Sequence, residues 1–372
     1  PMTRPIETNT PPIGSSGMGT AAPWVIGAFG TEHILRVKWA SSLEEACACY
    51  HLAPFGIPYL ELDTFFANGG AHIAMVNLGT TDPHHPDHVP PIPALLPLIR
   101  THAPLSFLLF SATLSDSLII RLHQSLSPDI DQQQGLIVHT PPPSITDAGM
   151  VIPWMETHHL NHKHVAVYFP SVIHPMAQRA VSPVFAVSGL FHRFDHDVGP
   201  WRAPSGSAAL LHGGVVPTIG VSNEETIALT QAGCNVIRQF KVGTMVWGES
   251  TGVGLRHERA YWRYISIRRT LAAIRQHISN LTAWIQSHVD QGQTRADAAE
   301  QGRMAIMKGL DGFFKQGGLV GETPESAYMV TTVPTDTGWC WHYGVCLMTA
   351  GEMIMTSFEL PPRPTTPSDD MV

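Results

Sequence analysis

Short apolar runs alternate with stretches of helical periodicity along most of the chain. "PWVIGAF" (23–29), "HIAMVNLG" (72–79), "SFLLFSA" (106–112), "GLIVHT" (135–140) and "HVAVYFP" (164–170) are almost continuously apolar and predict buried strands. "PVFAVSGLF" (183–191) and "CNVIRQF" (234–240) continue that series as strands. Helices are predicted between them at 41–52, 58–70, 92–101, 115–126 and 223–233. Ser41 or Ser42 can cap the first, with Glu44 and Glu45 in its first turn. Asn68-Gly69-Gly70 stops the second and Gly233 the last. A βαβα rhythm with apolar strands predicts an α/β fold: a mostly parallel sheet with helices on both faces.

The pattern then changes. Ile267, Leu271, Ile274, Ile278, Leu281, Ile285 and Val289 are spaced 4, 3, 4, 3, 4 and 4 residues apart, an apolar stripe on one long helix. A second helix at 295–316 and strands at 327–333, 339–348 and 352–360 predict a separate C-terminal α+β unit. The expected organisation is an N-terminal arm (1–20), an α/β domain (21–245), an α+β domain (246–360) and a loose tail (361–372). No internal repeat is visible.

Composition adds limits. The chain has 372 residues, enough for two or three domains, and 44% hydrophobic content, which excludes a disordered protein. Only 14% of residues are charged, against roughly 25% in ordinary soluble domains, which implies either a surface rich in neutral polar groups or one largely covered by partners. The net charge of −8 offers no case for nucleic-acid binding, and no apolar run is long enough to span a bilayer. The first residues lack the apolar core of a signal peptide. Five cysteines, an odd number without a CxxC pair, argue against a complete intramolecular disulfide set and predict buried thiols.

Three segments suggest chemistry. "GESTG" (248–252) fits G-x-S-x-G after the strand-like "TMVW", with Asp336 and His342 downstream in hydrolase order. A nucleophile elbow must lead at once into a helix, however, and Gly252 and Gly254 oppose one, so a plain turn competes with a serine hydrolase acting through Ser250. The tracts "HHPDH" (84–88) and "HHLNHKH" (158–164) resemble metal-binding runs but lack helical H-E-x-x-H spacing, which favours solvated loop histidines over a metal site. Arg256, Arg259, Arg263, Arg268, Arg269 and Arg275 cluster against Glu258 alone. With the apolar stripe facing the core, they predict an outward positive strip for an acidic partner.

Several segments, in order, resemble one family: the tail sheath proteins of contractile phages and of related contractile injection systems. "FFANGG" with its following strand resembles the family's FF-x-NGG segment, through Asn68, Gly69 and Gly70. "VSGLFHRFDHDVGPWRAPSG" matches its A-G-x-x-A-R-x-D-x-x-x-G-x-W-x-A-P stretch at Gly189, Arg193, Asp195, Gly199, Trp201, Ala203 and Pro204. "AGCNVIRQFKVGTMVWGES" is similar to G-I-N-x-I-R-x-F-x-x-x-G-x-x-V-W-G, carried by Asn235, Arg238, Trp247 and Gly248. "YWRYISIRRTLAAIRQHI" is similar to W-x-Y-I-x-V-R-R-L-x-x-x-I, through Trp262 and Tyr264. "HVAVYFPSV" resembles the family's A-x-Y-Y/F-P strand end. The matches are colinear over roughly residues 20–360. The family's PGVY-like opening is missing, the arginine after "VWG" is replaced, and its P-A-E-F appears as "AGEMI", keeping Glu352.

The resemblance implies a sheath fold of subtilisin-like type with extended terminal arms, and a structural subunit rather than an enzyme. It implies hexameric rings stacked around an inner tail tube, stored extended and contracting to drive the tube through a target envelope. Its partners would be copies of itself, the tube protein, the baseplate and the terminator or cap proteins, with no cofactor, metal, nucleic acid or membrane insertion. Its location would be a virion tail assembled in host cytoplasm, or a cytoplasmic or released injection particle. The domain 21–245 would lie outside and 246–360 would face the tube, with Arg259, Arg263, Arg268, Arg269 and Arg275 as tube-facing candidates. Residues 1–20 and the strand carrying Glu352, Ile354 and Phe358 are candidates for arms that add to neighbouring subunits' sheets. The Gly199-Pro200-Trp201 insert would be a stiff structural joint, since proline restricts the backbone and tryptophan buries a large area.

Overall fold

The computed structural model describes residues 23–79, 92–101, 107–256, 260–290, 295–335, 338–347 and 353–359. The chain divides into two compact units, the first ending at Ala273 and the second beginning at Ile274. This division falls inside the long helix, and residues 246–273 group with the first compact unit.

The first unit opens with β1 (Trp24–Gly27), β2 (Val37–Ala40), α1 (Leu43–Tyr50), α2 (Ile57–Ala67), β3 (Ile73–Asn77), α3 (Ile92–Thr101) and β4 (Phe107–Phe110). It continues through α4 (Asp116–Gln132), β5 (Leu136–His139), α5 (Val151–Thr157), β6 (Val165–Phe169), β7 (Val172–His174) and β8 (Arg179–Val181). Then come α6 (Pro183–Asp197), β9 (Val216–Pro217), α7 (Asn223–Ala232), β10 (Cys234–Phe240), β11 (Gly243–Trp247) and the first turns of α8 (Ile265–Asp290). Eight strands form the main sheet in the order β11-β10-β6-β5-β4-β1-β3-β2. The six inner strands are parallel, and β2 and β11 are antiparallel edges. β7, β8 and β9 make a small antiparallel sheet.

The apolar strands read as they do because both faces are covered. Val25, Met75, Leu109 and Val138 point into one core with residues of α1, α2 and α6. Their neighbours Trp24, Ile26, Ala74, Val76, Leu108, Phe110 and Ile137 point into a second, with α3 and α4. That is the two-residue strand period with both faces buried. Helix ends follow their local chemistry. Ser42 accepts a hydrogen bond from Glu45 N (3.1 Å) at the start of α1. Ser222 and Glu225 form a reciprocal capping box on α7, which ends at Gly233 with φ +96°.

One element differs from its prediction. Residues 183–191, expected as a strand, open helix α6, and every residue from Pro183 to Phe191 is buried. A helix surrounded by protein shows no polar face, so its sequence is as uniformly apolar as a central strand's.

The second unit continues α8 into α9 (Arg295–Lys315), α10 (Pro324–Ala327) and an antiparallel sheet of β12 (Tyr328–Thr335), β13 (Gly338–Cys346) and β14 (Met353–Glu359). Ile274, Ile278 and Ile285 of the α8 stripe are buried, and Leu281 is half-buried; the side chain of Val289 lies outside the described residues. Trp341 is fully buried and donates its indole N–H to Ala299 O of α9 (3.0 Å). Gly302 makes room for it: a Cβ there would lie 2.4 Å from the indole ring. Among the described residues no helix is long and apolar enough to cross a membrane. Cys234, Cys340 and Cys346 are buried, and Cys47 and Cys49 are half-buried.

Candidate functional site

The segment after β11 is bound to the start of α8 by backbone pairing. Ile265 N donates to Glu249 O (2.9 Å) and Thr251 N to Arg263 O (2.8 Å), while the Thr251 hydroxyl donates to Trp262 O (2.7 Å). Ser250 and Tyr264 form an antiparallel bridge. Asn235, fully buried on β10, clamps the strip from the other side. It accepts from Ser250 N (2.8 Å) and donates its amide N–H to Ser250 O (2.8 Å) and Val167 O (3.2 Å). Gly248 (φ +111°) is required beside it, because a Cβ would lie 2.8 Å from Asn235 Oδ1.

This is not a nucleophile elbow. The strip runs into a single 3₁₀ turn at Gly254–Arg256 and heads no α-helix, and the Ser250 hydroxyl donates to Thr230 O (3.2 Å). Asp336 lies outside the described residues. The hydrolase alternative thus lacks its supporting turn.

The arginine strip is also reassigned. Ile265, Ile267, Arg268, Arg269, Thr270, Leu271, Ala272, Ala273 and Ile274 are all buried, so the first turns of α8 are enclosed on every side. Arg268, with no exposed surface, donates to Gln134 Oε1 (2.7 Å) and Gly135 O (3.1 Å) and pairs with Asp131 (3.1 Å). Its guanidinium thereby neutralises the C-terminal, electronegative end of α4. Arg269 forms an ion pair with Asp195 of α6, both side chains almost completely buried, and its guanidinium lies 4.4 Å from the centre of the Phe191 ring. Burial pushes both arginines below their usual range, most strongly of all their surroundings. Arg268 and Arg269, expected on an outward positive strip, instead meet internal partners. Arg263 and Arg275 are half-buried, and Arg259 lies outside the described residues.

The other motif residues hold close approaches. Gly189 lets α6 cross α2, for a Cβ would lie 2.2 Å from Phe65 O. Asn68 accepts from His212 N (2.7 Å) and donates to Thr64 O (2.8 Å), tying the end of α2 to a distant loop. Gly69 (φ +98°) sits against Arg193, whose guanidinium donates to Leu210 O (2.8 Å), and Gly70 against the Phe65 ring. In the insert, Gly199 (φ +118°) is covered by the Trp201 ring at 2.2 Å from its would-be Cβ. Pro204 is buried, Ala203 packs on the core, and Ser205 Oγ accepts from Gly248 N (3.0 Å). The insert is thereby joined to the strip that anchors α8. Arg238 donates to Asn223 Oδ1 (2.9 Å), and Trp247, 42% exposed, packs on Phe240.

In the second unit, β14 pairs with β13 through Ile354↔Val345 and Phe358↔Trp341. Among the described residues β12 and β14 are its sheet edges. Ile354 is buried; Glu352 lies outside the described residues, as do 1–20, the first histidine tract and the tail. The second histidine tract does not assemble a metal site: among the described residues no group of three or more His, Cys, Asp or Glu is placed to hold an ion. Asp131 and Gln134 were not visible as functional in the sequence, because nothing local marks a helix end as an arginine's counterpart.

No protein-family model and no curated protein matches the chain. Solved structures do. A chain of the anti-feeding prophage (AFP) baseplate aligns with TM-score 0.68 at 23% identity, over 98% of this chain and 96% of that one. The sheath complex of the extracellular contractile injection system PVC, in its contracted state, aligns with TM-score 0.66 at 20% identity, over 98% and 94%. The sheath tail protein Lin1278 from Listeria innocua aligns with TM-score 0.68 at only 9% identity, over 92% and 95%. This chain has the fold of contractile sheath proteins. Among the motif residues, Gly189, Gly199 and Gly248 allow close approaches and Asp195 belongs to a buried ion pair.

Proposed function

We propose that this chain is a structural subunit of a contractile sheath and makes or breaks no covalent bond. The observation that carries the reading is coverage: the likeness to a contracted sheath complex takes in 98% of this chain, both compact units included. A shared core alone would leave one unit unmatched.

In this reading, copies of the chain form hexameric rings stacked around an inner tube, held in an extended lattice that relaxes by contracting. Such a machine needs near-rigid subunits with two alternative packings, and the buried pairs and glycine crossings above supply the rigidity. The tube-facing part in this reading is the C-terminal domain of 246–360, with Arg259, Arg263 and Arg275 as contacts. Residues 1–20 and the strand of Glu352, Ile354 and Phe358 serve as arms that add to neighbours' sheets, and β12 and β14, the outer strands of their sheet among the described residues, suit that role. Baseplate and terminal cap proteins complete the particle, whether a virion tail or a released injection device.

Negative-stain microscopy of the purified chain tests this. Rings or tubes are expected at high concentration. Single particles at every concentration, together with labelling of Ser250 by a fluorophosphonate, would overturn it.

A further inference from the structure

Behind the arginine junction the first unit buries three imidazoles that no sheath role uses. His123 of α4, His139 at the end of β5 and His164 just before β6 are 2%, 3% and 7% exposed. They form a continuous chain. His139 Nε2 lies 2.9 Å from His123 Nδ1, His123 Nε2 lies 3.3 Å from Ser127 Oγ, and Ser127 Oγ lies 3.1 Å from His164 Nε2. His164 Nδ1 then faces Asp131, 3.7 Å away. Asp131 is the residue that pairs with Arg268.

Hydrogen-bond chemistry restricts the charge this chain can carry. A 2.9 Å contact between two ring nitrogens holds a single hydrogen, so His123 and His139 cannot both be imidazolium. Two orderings satisfy the three hydrogen bonds with neutral rings. Only the one in which His139 donates to His123, His123 to Ser127 and Ser127 to His164 turns the His164 Nδ1–H toward Asp131, at 3.7 Å an electrostatic contact and not a hydrogen bond.

The surroundings add positive charge and little that compensates it. Asp131 already serves Arg268 at 3.1 Å and Lys163 at 3.4 Å. The His162 ring stacks on His164 at 5.1 Å, and His158 acts on His139 from the loop after α5. Along α4, Asp129 is paired with Arg100 at 2.6 Å, and Asp116 lies toward His158. Phe110 covers the other side of His139 at 5.5 Å. An added proton therefore meets two cations sharing one carboxylate.

We propose that this imidazole chain is an acid-sensitive latch on the first turns of α8: neutral, it holds Asp131 in place under Arg268, and proton uptake opens the junction of α4, β5 and α8. Burial, reinforced by the neighbouring histidines and Arg268, agrees with this, lowering His123 to about 4, His164 to about 3 and His139 well below the ordinary 6.5. The sign follows. Imidazoles released to water regain values near 6.5, so opening absorbs protons, and the latch weakens as pH falls from about 6.5 toward about 4. Above that window pH has no effect through these groups. Each imidazole contributes roughly a thirtyfold rise in the opening constant between pH 7.5 and pH 5.

Hydrogen exchange by mass spectrometry on the full-length chain tests the latch, with rates corrected for intrinsic pH dependence and read in peptides covering 265–273 and 123–139. In the unmodified chain the opening constant is expected to rise by about four orders of magnitude from pH 7.5 to pH 5, the product of the three contributions. In His123→Leu/His139→Phe the rise should shrink to about thirtyfold or less, the share of His164 alone. A flat profile in the unmodified chain overturns the latch, as does a double variant that keeps the full rise. Should the double variant not fold, His164→Asn in the same measurement decides, losing about thirtyfold of the rise if the latch is real and none if it is not. The result does not depend on whether the chain builds a sheath.

Discussion

Arg269 and Asp195 are 74 positions apart in the chain, and each has the other as its counter-charge in a nearly dry site. Removing one member of such a pair strands the other. Asp195→Ala is therefore expected to cost about 3–5 kcal/mol in urea unfolding, whereas Arg269→Met/Asp195→Leu should recover most of that loss. If the double variant is no more stable than the single one, the pair is not what holds α8 to α6. Gly189 gives a steric counterpart: Gly189→Ala pushes a methyl to 2.2 Å from Phe65 O and should cost about 1–3 kcal/mol by the same measurement. The identities of these residues were legible in the sequence as a spaced motif, but their roles were not. A motif gives positions along the chain, while a buried ion pair or a helix crossing is a relation between distant positions.

At the scale of elements, periodicity located most strands and helices because burial on one or two faces writes itself into the residue pattern. It failed at α6, whose first nine residues are buried all round and so carry no polar face. It misjudged the start of α8 for a related reason: a helix enclosed on every side needs its arginines paired internally, and a charge run does not tell an inner face from an outer one. Local capping chemistry was more readable. Ser222→Ala removes the acceptor for Glu225 N (3.2 Å) and should destabilise α7 by about 1 kcal/mol, seen as faster amide exchange at 223–226. The strip 248–252 belongs to the same scale. Asn235→Ala leaves Ser250 N and O without their clamp, and exchange at 248–252 is expected to accelerate while the core strands stay protected. Uniform acceleration through β5 and β6 would mean that Asn235 supports the sheet rather than the strip.

For the whole molecule, burial separates arginines that serve inside the subunit from those that keep exposed surface. Arg268 and Arg269 fall in the first group by burial, and a charge reversal there would unfold the junction before it tested any interface. Arg275 falls in the second unit and is half-buried, so it is the better probe of a tube-facing surface. Arg275→Glu is expected to shift the unfolding free energy of the isolated chain by no more than about 1 kcal/mol while reducing assembly around purified tube. The effect should weaken as salt is raised, since contacts between partly exposed charges are screened over about 10 Å at 0.1 M. Deleting 1–20 or 352–372 should instead shorten assemblies whether or not tube is present, because the proposed arms would add strands to neighbours independently of the tube's charge. Normal sheath around the tube after Arg275→Glu would remove that arginine from the interface, and the opposite dependence, loss of tubeless assembly in the same variant, would move it to a contact between subunits.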